Sequence, residues 1–104
     1  MDEGARYREL VETPEYTAQL DALVERFSIE ILESALMGVL WGVATNPEVY
    51  DRGTWNIRRA KSRSFDALFQ SFPSFVILFT ITDQNTVTLL WIEEVTAISE
   101  AMDL

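Results

Sequence analysis

The chain has 104 residues, 48 % of them hydrophobic, with eight basic and seventeen acidic side chains, a net charge of −9, and neither cysteine nor histidine. A chain of this length and composition fits one packed domain that needs no disulfide or metal staple. The two missing residue types exclude thiol chemistry and every Ser-His or Cys-His nucleophile, and the acidity disfavours general binding to nucleic acid or anionic membrane.

The start, Met-Asp-Glu-Gly, is acidic where a signal peptide is basic, and the apolar run 35–44 is too short to span a bilayer; a soluble cytoplasmic protein is expected. Residues 6–12 read as a first strand. Thr13-Pro14-Glu15 then opens a helix: Thr13 is a good N-cap, Pro14 suits the first helical position and Glu15 complements the helix dipole. Tyr16, Leu20, Leu23 and Phe27 recur at helical spacing.

Ser28 caps a second helix whose apolar stripe is Leu32, Ala35, Leu36, Val39, Leu40 and Val43, and Asn46-Pro47 ends it. Within it Gly38 and Gly42 lie four residues apart. Such a pair either lets another backbone approach closely or, more commonly, relieves crowding.

The periodicity then changes. Residues 55–63 alternate loosely as a strand, and 74–83 and 86–93 are rich in β-branched and aromatic residues. The turn composition Asp83-Gln84-Asn85 joins the last two as a hairpin. The apolar run 75–81 marks a central strand, and 95–104 a short acidic helix or tail. Trp41, Phe69, Phe72, Phe75, Phe79 and Trp91 are expected in or near the core. The whole is an α+β domain: an N-terminal strand and an αα-hairpin packed on a mainly antiparallel sheet of about four strands.

Charge is distributed unevenly. Five of the eight basic residues, Arg52, Arg58, Arg59, Lys61 and Arg63, fall in the strip 52–63 with no acid among them, leaving three bases against seventeen acids elsewhere. On a strand, Arg59, Lys61 and Arg63 project to one face with Trp55 and Ile57, and Arg58, Ala60 and Ser62 to the other. Three cations beside aromatic surface suit phosphates and stacked bases, or an acidic peptide. The alternative is that they neutralise the chain's own carboxylates. The adjacent pair Glu93-Glu94 ends a strand, points to opposite faces and makes no catalytic dyad. Four scattered glycines form no phosphate loop, and neither a metal site nor a cofactor is expected.

Taken together, Thr13-Pro14-Glu15-Tyr16 after an opening strand, a second helix closing at Asn46-Pro47, the basic strand Ile57-Arg58-Arg59-Ala60-Lys61 and the hairpin from Phe75-Val76-Ile77 to Thr88-Leu89-Leu90 resemble the RelE/ParE superfamily of bacterial type II toxins. That resemblance covers nearly the whole chain. It implies a toxin held by a cognate antitoxin whose flexible segment wraps it. RelE-like members cut mRNA on the ribosome with cations on the concave sheet face, whereas ParE-like members poison DNA gyrase.

Carried onto this sequence, the family's basic positions fall on Arg58, Arg59 and Lys61, with Arg63, which are the catalytic candidates if the protein is a nuclease. Partner or nucleic-acid contact extends to Arg52 and Trp55. Where family members carry a central-strand arginine this chain has Val76-Ile77-Leu78, and where they carry a basic or tyrosine residue on the last strand it has Trp91-Ile92-Glu93-Glu94. The expectation is therefore a toxin-fold protein that acts by binding a protein or ribosomal target. The alternatives are a ribosome-dependent endoribonuclease and a non-toxic interaction module. The helix hairpin and sheet edges also allow a homodimer.

Overall fold

The computed structural model describes residues 8–62, 65–67, 70–72 and 74–95. Its elements are β1 (Glu9–Glu12), α1 (Pro14–Arg26), α2 (Ile29–Thr45), β2 (Asp51–Arg52), β3 (Arg58–Lys61), β4 (Phe65–Ala67), β5 (Gln70–Phe72), β6 (Phe75–Asp83) and β7 (Thr86–Glu94). Five strands form one sheet in the order β1-β7-β6-β3-β2, and β4 and β5 pair separately. Only β1 and β7 run parallel; the other neighbours are antiparallel. The α+β architecture is as expected, with five strands in the sheet instead of about four, because the two-residue β2 adds an edge. The short β4–β5 hairpin had no counterpart in the sequence pattern. Arg63, Phe69 and the expected C-terminal helix from residue 96 lie outside the described residues.

Thr13 fixes the first junction. Its hydroxyl accepts from the Tyr16 amide at 3.2 Å and donates to the Leu89 carbonyl at 2.9 Å, while its own amide donates to the same carbonyl at 3.1 Å. One residue thus caps α1 and clamps it to β7. Ser28 caps α2 through the Ile31 amide at 3.2 Å. Pro47 is buried and begins a single 3₁₀ turn through Val49 that leads toward β2.

The core lies between the two helices and one face of the sheet. Tyr16 and Leu23 of α1 and Leu32, Ala35, Leu36 and Val43 of α2 meet Ala60, Phe75, Ile77, Phe79, Val87, Leu89 and Ile92. Burial from solvent drives the pKa of the Tyr16 phenol up to about 12, and nearby Glu12 adds to the shift. Strand β6 is the central strand, and its buried residues alternate at 75, 77 and 79. On β7 the register slips between Leu78 and Phe79, leaving Leu90 as an extra residue. That bulge shifts the side-chain parity, so Ile92 faces the core with Val87 and Leu89 although its number is even.

At the hairpin tip neither Gln84 nor Asn85 has positive φ, so the turn is not of the primed type that two-residue hairpins favour. A second register slip, between Ile81 and Asp83, accompanies it, and the Asp83 carboxylate accepts from the Asn85 amide at 2.7 Å.

Trp41 departs from expectation. It is 58 % exposed on the outer side of α2. It was expected in or near the core, but it lies outside the arc that reaches the sheet.

The two helix glycines also separate. A Cβ on Gly42 would collide with the Tyr50 hydroxyl, whereas a Cβ on Gly38 would meet nothing within 4 Å. The Tyr50 ring packs edge-on against Phe79 at 5.8 Å, so it cannot yield without disturbing the core. Overpacking costs about 1–3 kcal/mol, and replacing glycine in a helix returns up to about 1 kcal/mol. Gly42→Ala is expected to lower the melting temperature and Gly38→Ala to raise it; two thermal melts followed by circular dichroism check both signs.

Candidate functional site

The strip 52–63 does not form a continuous strand. Gly53 and Asn56 bracket a turn in which the Gly53 amide donates to the Ile57 carbonyl at 2.6 Å. Among the described residues, the non-glycines with positive φ are Trp55 (61°) and Asn56 (64°). An indole side chain is uncommon in that left-handed region. Trp55 is held there with 87 % of its surface in solvent, while the Asn56 carbonyl accepts from the Thr80 hydroxyl at 3.1 Å.

The cations then divide by parity, as the alternation predicted. Arg58 lies opposite Phe79, and Ala60 opposite Ile77, on the helix side of the sheet. The Arg58 guanidinium donates from one nitrogen to the carbonyls of Tyr50 at 2.9 Å and Glu48 at 3.2 Å, and its Nε is buried without a partner. Arg58 therefore holds the 47–50 turn and does not join the others. Ser62, also on the helix side, is buried and its hydroxyl accepts from the Phe75 amide at 2.8 Å.

Arg59 and Lys61 face the opposite, open side. Register puts Asp51, Arg59, Leu78 and Trp91 in one row across the sheet, and Lys61, Val76 and Glu93 in another. Leu78, Val76 and Trp91 are half-buried there. A cleft of about 350 Å³ at the margin is lined by Ile57, Leu78, Gly53 and Trp55, with Arg52, Arg59 and Asp51 supplying charge. Neither Arg59 nor Lys61 is without a partner in the protein.

Outside the strip, two ion pairs form among the described residues. Arg8 pairs with Glu48 at 2.7 Å, and Arg26 with Glu94 at 2.7 Å. The hydrogen bond raises the Arg8 pKa and lowers that of Glu48, although exposed pairs of this kind stabilise by only about 0–1 kcal/mol. Glu93 and Glu94 face opposite sides, as expected. Glu94 takes Arg26, while Glu93 accepts from the Trp91 indole N–H at 2.9 Å.

No family model matches this chain, and no characterised protein or solved structure matches it either.

The geometry alone therefore has to say what the open face can do. Arg59 and Lys61 are two residues apart on one strand, roughly 7 Å. Strands β6 and β7 contribute no base. Glu93 stands two strands from Lys61, roughly 10 Å away, and Asp51 is the direct cross-strand neighbour of Arg59. A phosphoryl-transfer site needs several cations converging on the developing charge. Among the described residues, the face offers Arg59 and Lys61 flanked by Asp51 and Glu93 beside Trp55 and Trp91, an arrangement better suited to contact than to charge stabilisation.

Sequence reasoning located Arg59, Lys61 and Trp55 but missed Asp51, Leu78 and the open-face position of Trp91. Asp51 directly precedes the strip in sequence, but its place opposite Arg59 comes from the pairing of β2 with β3. The placement of Trp91 depends on the bulge at Leu90, which no local pattern announces.

Proposed function

We propose that this protein is a toxin-fold component of a RelE/ParE-like toxin–antitoxin pair that acts by binding. Its open sheet face, around Arg59, Lys61, Trp55 and Trp91, contacts a protein or ribosomal target, and a cognate antitoxin neutralises it. The observation that carries this reading is the pairing of exposed aromatic surface with Arg59 and Lys61, on a face where β6 and β7 supply no base. The order of elements, from the opening strand through the helix pair to the basic strand and final hairpin, supports it. Target and antitoxin engage at the sheet, leaving Arg58 to the scaffold.

Expression in a bacterium with and without the neighbouring reading frame tests the proposal. Growth arrest relieved by that frame is expected, with the Arg59→Ala/Lys61→Ala variant losing at least about tenfold of its target affinity, roughly 1.4 kcal/mol, and with messages on translating ribosomes left intact. Unaffected growth with no adjacent antitoxin-like frame would reduce the protein to an interaction module. Cleaved messages would make it a nuclease.

A further inference from the structure

A pocket of about 400 Å³ lies between α2 and the end of β3, and it shares no lining residue with the cleft beside Trp55. Small side chains open it. Ser34 and Gly38 form one row along the helix and Ala35 and Val39 the next, and nothing lies within 4 Å of where a Gly38 side chain would begin. Strand β2 pairs only with Arg58 and Arg59, which leaves Lys61 and Ser62 to form the opposite wall. Lys61 thus borders both the open face and this pocket. Tyr50 closes one side and is firmly held. Arg58 donates to its carbonyl at 2.9 Å, its ring packs on Phe79, and its hydroxyl abuts Gly42. The volume falls in the range of small-molecule sites, roughly 300–1,000 Å³.

The polar groups on its walls are donors. Among the described residues, neither the Ser34 nor the Tyr50 hydroxyl has a hydrogen-bond partner. The buried Ser62 hydroxyl accepts from the Phe75 amide at 2.8 Å and keeps its own proton to give. Lys61 has a partner within the protein, yet an ammonium carries three donors. No carboxylate lines the pocket, on a chain with seventeen acids. We infer that this pocket binds a small monocarboxylate with an apolar body. The carboxylate, an acceptor with no proton to give, takes the hydroxyls and the ammonium. The apolar body lies along Ala35, Gly38 and Val39. Charge selects the class of ligand. A cationic ligand would meet an ammonium and no acid. A phosphate dianion would be repelled by a body of net charge −9 more strongly than one lysine could offset. A ligand held here neither requires nor excludes a target on the open face.

Titration calorimetry on the intact chain tests this, with benzoate, naphthoate and decanoate as probes and the matching amides as uncharged controls. At least one carboxylate should bind with a Kd below about 1 mM, and its amide at least about tenfold more weakly. Gly38→Leu fills the pocket and should abolish that binding. It should at the same time keep or raise the melting temperature, since the position is open and leucine is the better helix former, which separates a blocked site from a damaged fold. Lys61→Met should bring the carboxylate down to the affinity of its amide, and Tyr50→Phe should weaken it at least about threefold. Arg52→Ala, in the cleft beside Trp55, should leave it unchanged. If none of the three carboxylates binds below about 1 mM, the inference is overturned. Binding that the amides match, or that Gly38→Leu leaves intact, overturns it as well.

Discussion

Phe79→Ala is expected to reduce the free energy of unfolding by about 3–5 kcal/mol, the range for removing a fully buried phenylalanine. Phe79 is entirely buried on the central strand, lies opposite Arg58 on β3 and Leu89 on β7, and takes the Tyr50 ring edge-on. The vacated volume cannot be filled cheaply. The helix above it is held to the next turn by Gly42 against Tyr50, so collapse of one contact displaces the other. A domain of this size has roughly 5–15 kcal/mol of stability in all. The variant should show a urea midpoint well below that of the wild type, with an unchanged slope. A loss under about 1 kcal/mol would be incompatible with Phe79 at the centre of the core. Val76→Ala, half-buried on the other face of the same strand, should cost clearly less.

Much of this fold was legible because its signals are local. Thr13-Pro14 and Ser28 cap helices where the sequence placed caps, and Asn46-Pro47 stops the second where proline must. The β6–β7 hairpin follows from two β-branched runs and a polar turn. The shortfalls share a different origin. Strand β2, Asp51–Arg52, is too short to have a period, and exists only because β3 offers an edge to pair with. The expected strand 55–63 contracts to Arg58–Lys61 because Gly53 and Asn56 permit a turn that puts Trp55 in a left-handed conformation. Trp41 was expected in the core as an aromatic at element spacing, whereas its azimuth on α2, outside the stripe from Leu32 to Val43, decides. At the candidate site, alternation correctly divided Arg58 from Arg59 and Lys61. It had no means of showing that Asp51 and Glu93 stand in the same rows, since those neighbours come from other strands.

That division makes Arg58 the second decisive position, and Arg58→Met is expected to cost about 2 kcal/mol of stability. Two charge-assisted bonds to the carbonyls of Tyr50 and Glu48 are lost. Each is worth roughly 1.5–3 kcal/mol when shielded, but the Glu48 carbonyl can turn to water. Against this, the buried Nε has no partner, and removing it recovers part of its desolvation penalty. Methionine keeps most of the aliphatic stem, so packing contributes little to the loss. Arg59→Met, on the open face opposite Asp51, should cost less, at most about 1 kcal/mol as for an exposed pair. The two neighbours thus predict opposite phenotypes. Arg58→Met should unfold at lower denaturant yet retain partner binding at temperatures where it is folded. Arg59→Met should unfold closer to the wild type and bind weakly. Denaturant titration and partner binding, measured on both variants, separate a structural arginine from a contact arginine within the strip. If Arg58→Met lost binding while keeping its stability, the working surface would have to be sought on the helix side of the sheet.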